Sequence, residues 1–125
     1  MDENTPIIVG AGQCVEREFT HSSGVDLAAR AASAAIAASG GQGVTEAIDT
    51  IVMMRLFSDS APNWKNNLGR SNNPPQSVAK RIGATPQHRV YSEVGGNEPQ
   101  TLLMEFFAEL QEGTRELVLL CGGEA

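Results

Sequence analysis

Nowhere in these 125 residues does an apolar run approach the ~20 residues that a membrane-spanning helix needs. Residues 1–20 also lack a basic stretch followed by an apolar one, so no secretory leader is read there. Basic residues are scarce: nine Lys and Arg stand against fifteen Asp and Glu, for a net charge of −6, and they are scattered. That distribution argues against a nucleic-acid or anionic-membrane surface. The two histidines, His21 and His88, lie far apart without a Cys/His/Asp cluster around either, so no metal site is expected. Two cysteines, Cys14 and Cys121, follow predicted strands and are distant in sequence. Without a leader they read as reduced thiols of a cytoplasmic protein. No internal repeat is present.

What the chain does contain is an alternation of short apolar runs and helical patterns. Pro6-Ile7-Ile8-Val9-Gly10-Ala11-Gly12 reads as a buried strand running into a turn. Ser23-Gly24-Val25-Asp26 fits an S-x-x-D helix start, and the helix runs to about Ser39 before Gly40-Gly41. Eight alanines between Ala28 and Ala38 give it strong propensity, and Arg30 is its one long polar side chain, so much of it is expected to be covered.

A helical turn at Val44–Ala47 and a strand over Ile48–Phe57 follow. Ser58 to Asn73 is a long polar segment with Trp64, of a length usually functional or interface-forming. Asn73-Pro74-Pro75-Gln76 signals a helix start, with Gln76 able to close a capping box, and that helix ends near Ile82-Gly83. His88–Val94 reads as a strand and residues 99–112 as a helix carrying Leu102, Leu103, Phe106 and Leu110 at helical spacing. Leu117–Cys121 is continuously apolar, the pattern of a strand buried on both faces of a parallel sheet. This order predicts an α/β fold with a mostly parallel sheet and helices on both faces. A chain that stops at Gly122-Gly123-Glu124-Ala125, directly after such a strand, reads as the N-terminal, truncated part of a longer protein.

Val94-Gly95-Gly96-Asn97-Glu98-Pro99-Gln100 lies between a predicted strand and a predicted helix. Free N–H groups at such a helix start converge and favour negative charge, so Gly95, Gly96, Asn97 and Glu98 form a candidate binding site in which the amides of residues 96, 97 and 98 would hold an anion. The alternative is that Gly95-Gly96 serves a turn or close packing alone. Gly10-Ala11-Gly12 does not complete a dinucleotide-binding fingerprint, because the third glycine position is Val15 and a long loop precedes the helix. Cys121, at the end of a Leu/Val strand, reads as a small apolar group rather than a nucleophile. Lys65 and Arg70 either reach an anionic ligand or are solvated loop charges.

The segment Glu112-Gly113-Thr114-Arg115-Glu116-Leu117-Val118-Leu119-Leu120-Cys121-Gly122-Gly123-Glu124 resembles the helix end and strand that follow the nucleophile in thiolases. Arg55–Ser60, Gly69–Pro75 and Val94–Asn97 resemble the thiolase-like proteins near the sterol-carrier-protein-type thiolases, often labelled acetyl-CoA acetyltransferase. The resemblance places the thiolase cysteine at Gly96, where there is no side chain to carry the chemistry. It implies a five-layer fold of two similar halves, of which residues 1–125 are the N-terminal portion. It further implies a CoA thioester as ligand, acyl transfer in the intact protein, and acid–base groups in the second half. The strand His88–Val94 corresponds to the thiolase dimer contact, so a homodimer or a thiolase-like partner chain is expected there. A non-catalytic acyl-CoA-binding or scaffolding subunit is the alternative. The helix at 99–112 carries apolar residues on more than one face, leaving ~300–600 Å² or more of surface to be covered.

Overall fold

Asp49 stands where all three strands of the sheet begin. Its carbonyl accepts from the amides of Gln87 (2.9 Å) and His88 (3.0 Å), and its own amide donates to the carbonyl of Leu117 (3.0 Å). Its carboxylate accepts from the Glu116 amide at 2.6 Å and from Thr50 Oγ1 at 2.6 Å. Four backbone partners from two other segments are thereby fixed to one residue, which sets the register of everything downstream.

The computed structural model describes residues 3–18, 21–60 and 70–125. Strand β1 (Thr50–Met53) is central, with β2 (His88–Tyr91) on one side and β3 (Val118–Cys121) on the other, all parallel. Thr50 pairs with His88 and Val118, and Met53 with Tyr91 and Cys121. All four β1 residues are wholly buried. Successive side chains of a strand point to opposite faces, so Ile51 and Met53 go to one layer and Val52 to the other. The first layer is α1 (Gly24–Ser39) and α3 (Pro74–Ile82), contributing Val25, Ala28, Ala29, Ala32, Val78 and Ala79. The second is α4 (Glu98–Glu112), contributing Leu102 and Phe106. Each fully buried Val, Ile, Leu, Met or Phe side chain stabilises the fold by about 1.5–3 kcal/mol relative to exposure, and the alanines by less. Sheet, helices on both faces and parallel order are as the sequence predicts.

The helix starts follow their local chemistry. Ser23 and Asp26 form a reciprocal capping box, the Ser23 amide donating to Asp26 Oδ2 (2.9 Å) and the Asp26 amide to Ser23 Oγ (3.2 Å). Asp26 also accepts from Arg81 Nε at 2.8 Å, pinning α1 to α3. The Ser23 amide and then Arg81 hold its carboxyl below the usual carboxylate range. At α3, Asn73 Oδ1 accepts from the Gln76 amide (3.3 Å), but Gln76 does not close the box; its Oε1 is buried without a partner among the described residues.

Several elements differ from expectation. Residues 6–12 form no strand and belong to no sheet; Ile7, Ile8 and Val9 are exposed. An apolar run becomes a strand only where a neighbour supplies hydrogen-bond partners, and no described strand lies beside it. The chain passes instead along α1. A Cβ at Gly10 would lie 2.3 Å from the Ala35 carbonyl oxygen, and one at Gly12 would lie 2.4 Å from the Ala35 nitrogen. The Gly-Ala-Gly step therefore serves close packing on an alanine-rich helix. That helix is buried along one stripe only, and Ala34, Ala37 and Ala38 are exposed. The strand expected over 48–57 is four residues long; beyond Met53 the chain bends into a short 3₁₀ turn at Phe57–Asp59. The strand buried on both faces is β1, while β3 is a half-buried edge strand. Trp64 and Lys65 lie outside the described residues.

Asp49→Ala should lose about 1–3 kcal/mol of stability, because two amides at the start of β3 lose their acceptor. Urea unfolding measures this; a loss under 0.5 kcal/mol would show that the carboxylate does not set the register.

Candidate functional site at the carboxyl edge of the sheet

Parallel strands bring all their carboxyl ends to one edge, and ligands of open α/β sheets bind outside that edge. Three segments meet there: residues 54–60 after β1, 92–98 after β2 and 122–124 after β3. The Ser92 amide donates to the Met53 carbonyl (3.0 Å), and Ser92 Oγ accepts from the Arg55 amide (3.3 Å). Glu124 Oε1 accepts from the Phe57 amide at 2.6 Å. The edge is thus cross-tied before the turn at 95–97 begins.

At that turn Gly95 has φ +154°, a left-handed value, and its carbonyl accepts from the Glu98 amide at 3.2 Å. Helix α4 begins at Glu98 with Asn97 as a cap whose side chain makes no capping hydrogen bond. Of the three amides proposed from sequence, Glu98 is therefore already committed to the turn. Those of Gly96 and Asn97 have no partner among the described residues. Gly96 is exposed, and a Cβ built on it meets nothing within 4 Å. Two amides and the positive end of a 15-residue helix remain, enough to hold one anionic or strongly polarised oxygen.

Neither cysteine of the described residues is a ready nucleophile at this edge. Burial pushes the Cys121 thiol up to about 12, so it is protonated at neutral pH. Cys14 is half-buried, and neither cysteine is in a disulfide. Arg70 pairs with Asp59 Oδ1 at 2.9 Å. Among the described residues no group of three or more His, Cys, Asp or Glu is placed to hold a metal ion.

Sequence reading misses a polar knot at this same edge. Tyr91 Oη donates to Asp59 Oδ2 and accepts from the Leu56 amide at 2.9 Å. The Arg55 guanidinium stacks over the Tyr91 ring at 5.0 Å, a cation–π contact, and Arg55 Nε donates to Ser60 Oγ at 3.1 Å. Burial raises the Asp59 carboxyl, but donation from Tyr91 and Arg70 outweighs it and leaves the group below the usual carboxylate range. Burial, then the Asp59 carboxylate, pushes the Tyr91 phenol up to about 12. A clue to the knot is the placement of Arg55 and Tyr91 within two predicted strands, 48–57 and 88–94; Asp59, in a polar loop, gives no signal.

Tyr91→Phe strands the amide of Leu56, a residue only 5% exposed. It should cost about 1–3 kcal/mol at pH 7. The raised phenol pKa adds a pH signature: its stabilisation is complete below the ordinary value of 10.0 and is lost as pH rises toward about 12. Denaturation series over pH 8–12 should show this decline in the wild type and a flatter profile in the variant.

No protein-family model matches the chain, and no curated protein does. Among solved structures it is similar to a monomeric SCP2-thiolase like protein type 1 from Mycobacterium smegmatis, with 37% identity over 95% of this chain and a TM-score of 0.76. The chain spans 23% of the length of that protein. With its parallel three-stranded sheet and helices on both faces, this polypeptide is a partial thiolase-like chain, matching one portion of an SCP2-thiolase-like protein.

Proposed function

We propose that the thiolase-like protein to which these residues correspond handles acyl-CoA thioesters, as acetyl-CoA acetyltransferases do. In this reading the start of α4 receives the thioester carbonyl without forming a covalent bond at residue 96. The observation that carries it is the open Gly96 position with the unpartnered Gly96 and Asn97 amides at the carboxyl edge of the sheet. Those donors stabilise charge developing on a carbonyl oxygen, while glycine supplies no atom to attack it. Any acyl transfer then draws its nucleophile and acid–base groups from residues other than 95–98.

A non-catalytic acyl-CoA-binding subunit uses the same geometry and differs in turnover alone. Calorimetric titration with acetyl-CoA, followed by an acetoacetyl-CoA thiolysis assay, separates the two: both readings require binding, and thiolysis marks the enzyme. Absence of CoA binding removes both. Among the described residues no helix is long and apolar enough to cross a membrane, which fits the cytoplasmic location we assign. The outer edge of β2, with His88 and Arg89 exposed, is where a thiolase-type dimer would form. The Mycobacterium smegmatis relative is monomeric, so sedimentation velocity is the deciding measurement for that contact.

Gly96→Cys tests the geometry directly. The position has room for a side chain, and a helix N-terminus lowers a thiol's pKa. At pH 7 the new thiol should react with iodoacetamide several-fold faster in the folded chain than in the urea-unfolded chain, where no helix acts on it. Equal rates would mean that α4 does not activate a group at residue 96.

A further inference from the structure

A cleft of about 550 Å³ opens between the start of α1 and residues 70–81, and it shares no residue with the turn at 95–97. Its lining is almost wholly polar, with Val25 the one apolar side chain among the described residues. Two half-exposed guanidinium groups stand in it. Arg81 donates from Nε to Asp26 Oδ1 (2.8 Å) and from Nη1 to the Ser77 carbonyl (3.2 Å). Arg70 donates from Nη2 to Asp59 Oδ1 (2.9 Å). These bonds use only part of each fork. Arg81 Nη2 and Arg70 Nε and Nη1 are left without a partner among the described residues. Ser71 and Ser77 share one hydroxyl hydrogen bond at 2.6 Å, and whichever donates, the other keeps a free O–H. Asn72 adds an exposed carboxamide, also unpartnered among the described residues.

A solvated arginine must be ordered when it binds, whereas these two are each already held by a carboxylate, so less freedom is lost when a ligand arrives. Asp26 is the one carboxylate in the described lining, and both its oxygens are taken: Oδ1 by Arg81, Oδ2 by the Ser23 amide and hydroxyl. The lining therefore keeps a net positive charge, two guanidinium groups against one carboxylate, in a chain of net charge −6. We propose that this cleft binds a phosphate dianion, free or carried as a monoester, between Arg70 and Arg81, with the free serine hydroxyl and Asn72 donating to its remaining oxygens. Arginine pairs with phosphate through two parallel N–H···O bonds. A phosphate group has oxygens enough to meet both forks, and its two charges match two guanidinium groups; a monocarboxylate satisfies one. The cleft is larger than a phosphate group and leaves space for what carries it. Residues 95–98 take no part, so the site stands apart from the acyl-CoA reading.

The test is calorimetric titration of the protein with inorganic phosphate, adenosine monophosphate and acetate, at fixed ionic strength and at pH 8, where the phosphates are dianionic. Inorganic phosphate or the monoester should bind about tenfold or more tightly than acetate. Binding of inorganic phosphate alone identifies the free ion as occupant, and tighter binding of adenosine monophosphate identifies a monoester. Arg70→Gln should weaken the binding about fivefold or more. Asn72→Asp, at an exposed position outside the core, should do the same by adding a negative charge to the cleft. Arg30→Gln, an α1 position that does not line the cleft, should leave affinity within about twofold. Failure of the wild type to bind either phosphate would overturn the proposal. Binding that survives both cleft variants would also overturn it, since the anion then sits elsewhere. An equal loss in Arg30→Gln would do so too, because it marks diffuse charge attraction.

Discussion

Asp49 is the constraint on which the rest of the structure depends. A parallel sheet has no hairpins to fix its register, so something other than a tight turn must align strands that are distant in sequence. Here one residue at the base of β1 does so with both its backbone and its side chain, holding the starts of β2 and β3 at once. A register slip of one residue would reverse the faces to which Ile51, Val52 and Met53 point. The α1–α3 layer and α4 would then each face the wrong side chains. The partition of the core into two layers follows from that alignment.

The same alignment determines what sits at the opposite edge. With all three strands parallel and in register, the segments leaving Met53, Tyr91 and Cys121 emerge together. The chain then ties them with side chains rather than with regular structure: Ser92 to Arg55, Tyr91 to Leu56 and Asp59, Glu124 to Phe57. These bonds cross 32 to 67 residues of sequence. They hold the bend after β1 and leave the turn at 95–97 comparatively free, with Gly96 exposed.

How much of this was legible in the sequence depends on how local each determinant is. The start of α1 was readable because a capping box needs only Ser23 and Asp26, three residues apart. The ends of α1, α3 and α4 at Gly40, Gly83 and Gly113 were readable because each adopts a left-handed conformation that favours glycine. The strand over residues 6–10 was not, because a strand is a property of a pair and the described residues offer no partner there. Leu117–Cys121 departs from expectation for the same reason: its composition suits an inner strand, but among the described residues it is an edge. At the candidate site, the glycine turn and its helix were visible, whereas the commitment of the Glu98 amide and the Tyr91–Asp59 contact arise only from folded geometry.

The site separates two things that are easily treated as one, the field of a helix N-terminus and the reactive group placed in it. The field is a backbone property and survives any side chain at residue 96. The reactive group is a side-chain property, and glycine removes it. Nor is it regained from Cys121, the nearest candidate in sequence pattern. Burial raises that thiol to about 12, so at neutral pH it stays in the unreactive protonated form. Exposing the thiol would lower its pKa but would also open the packing of β3 against the α1 layer, in which Cys121 is a buried member. Nucleophilic reactivity at Cys121 and integrity of the sheet are therefore in opposition, whereas at residue 96 it is the glycine, not the fold, that leaves the position without a reactive side chain.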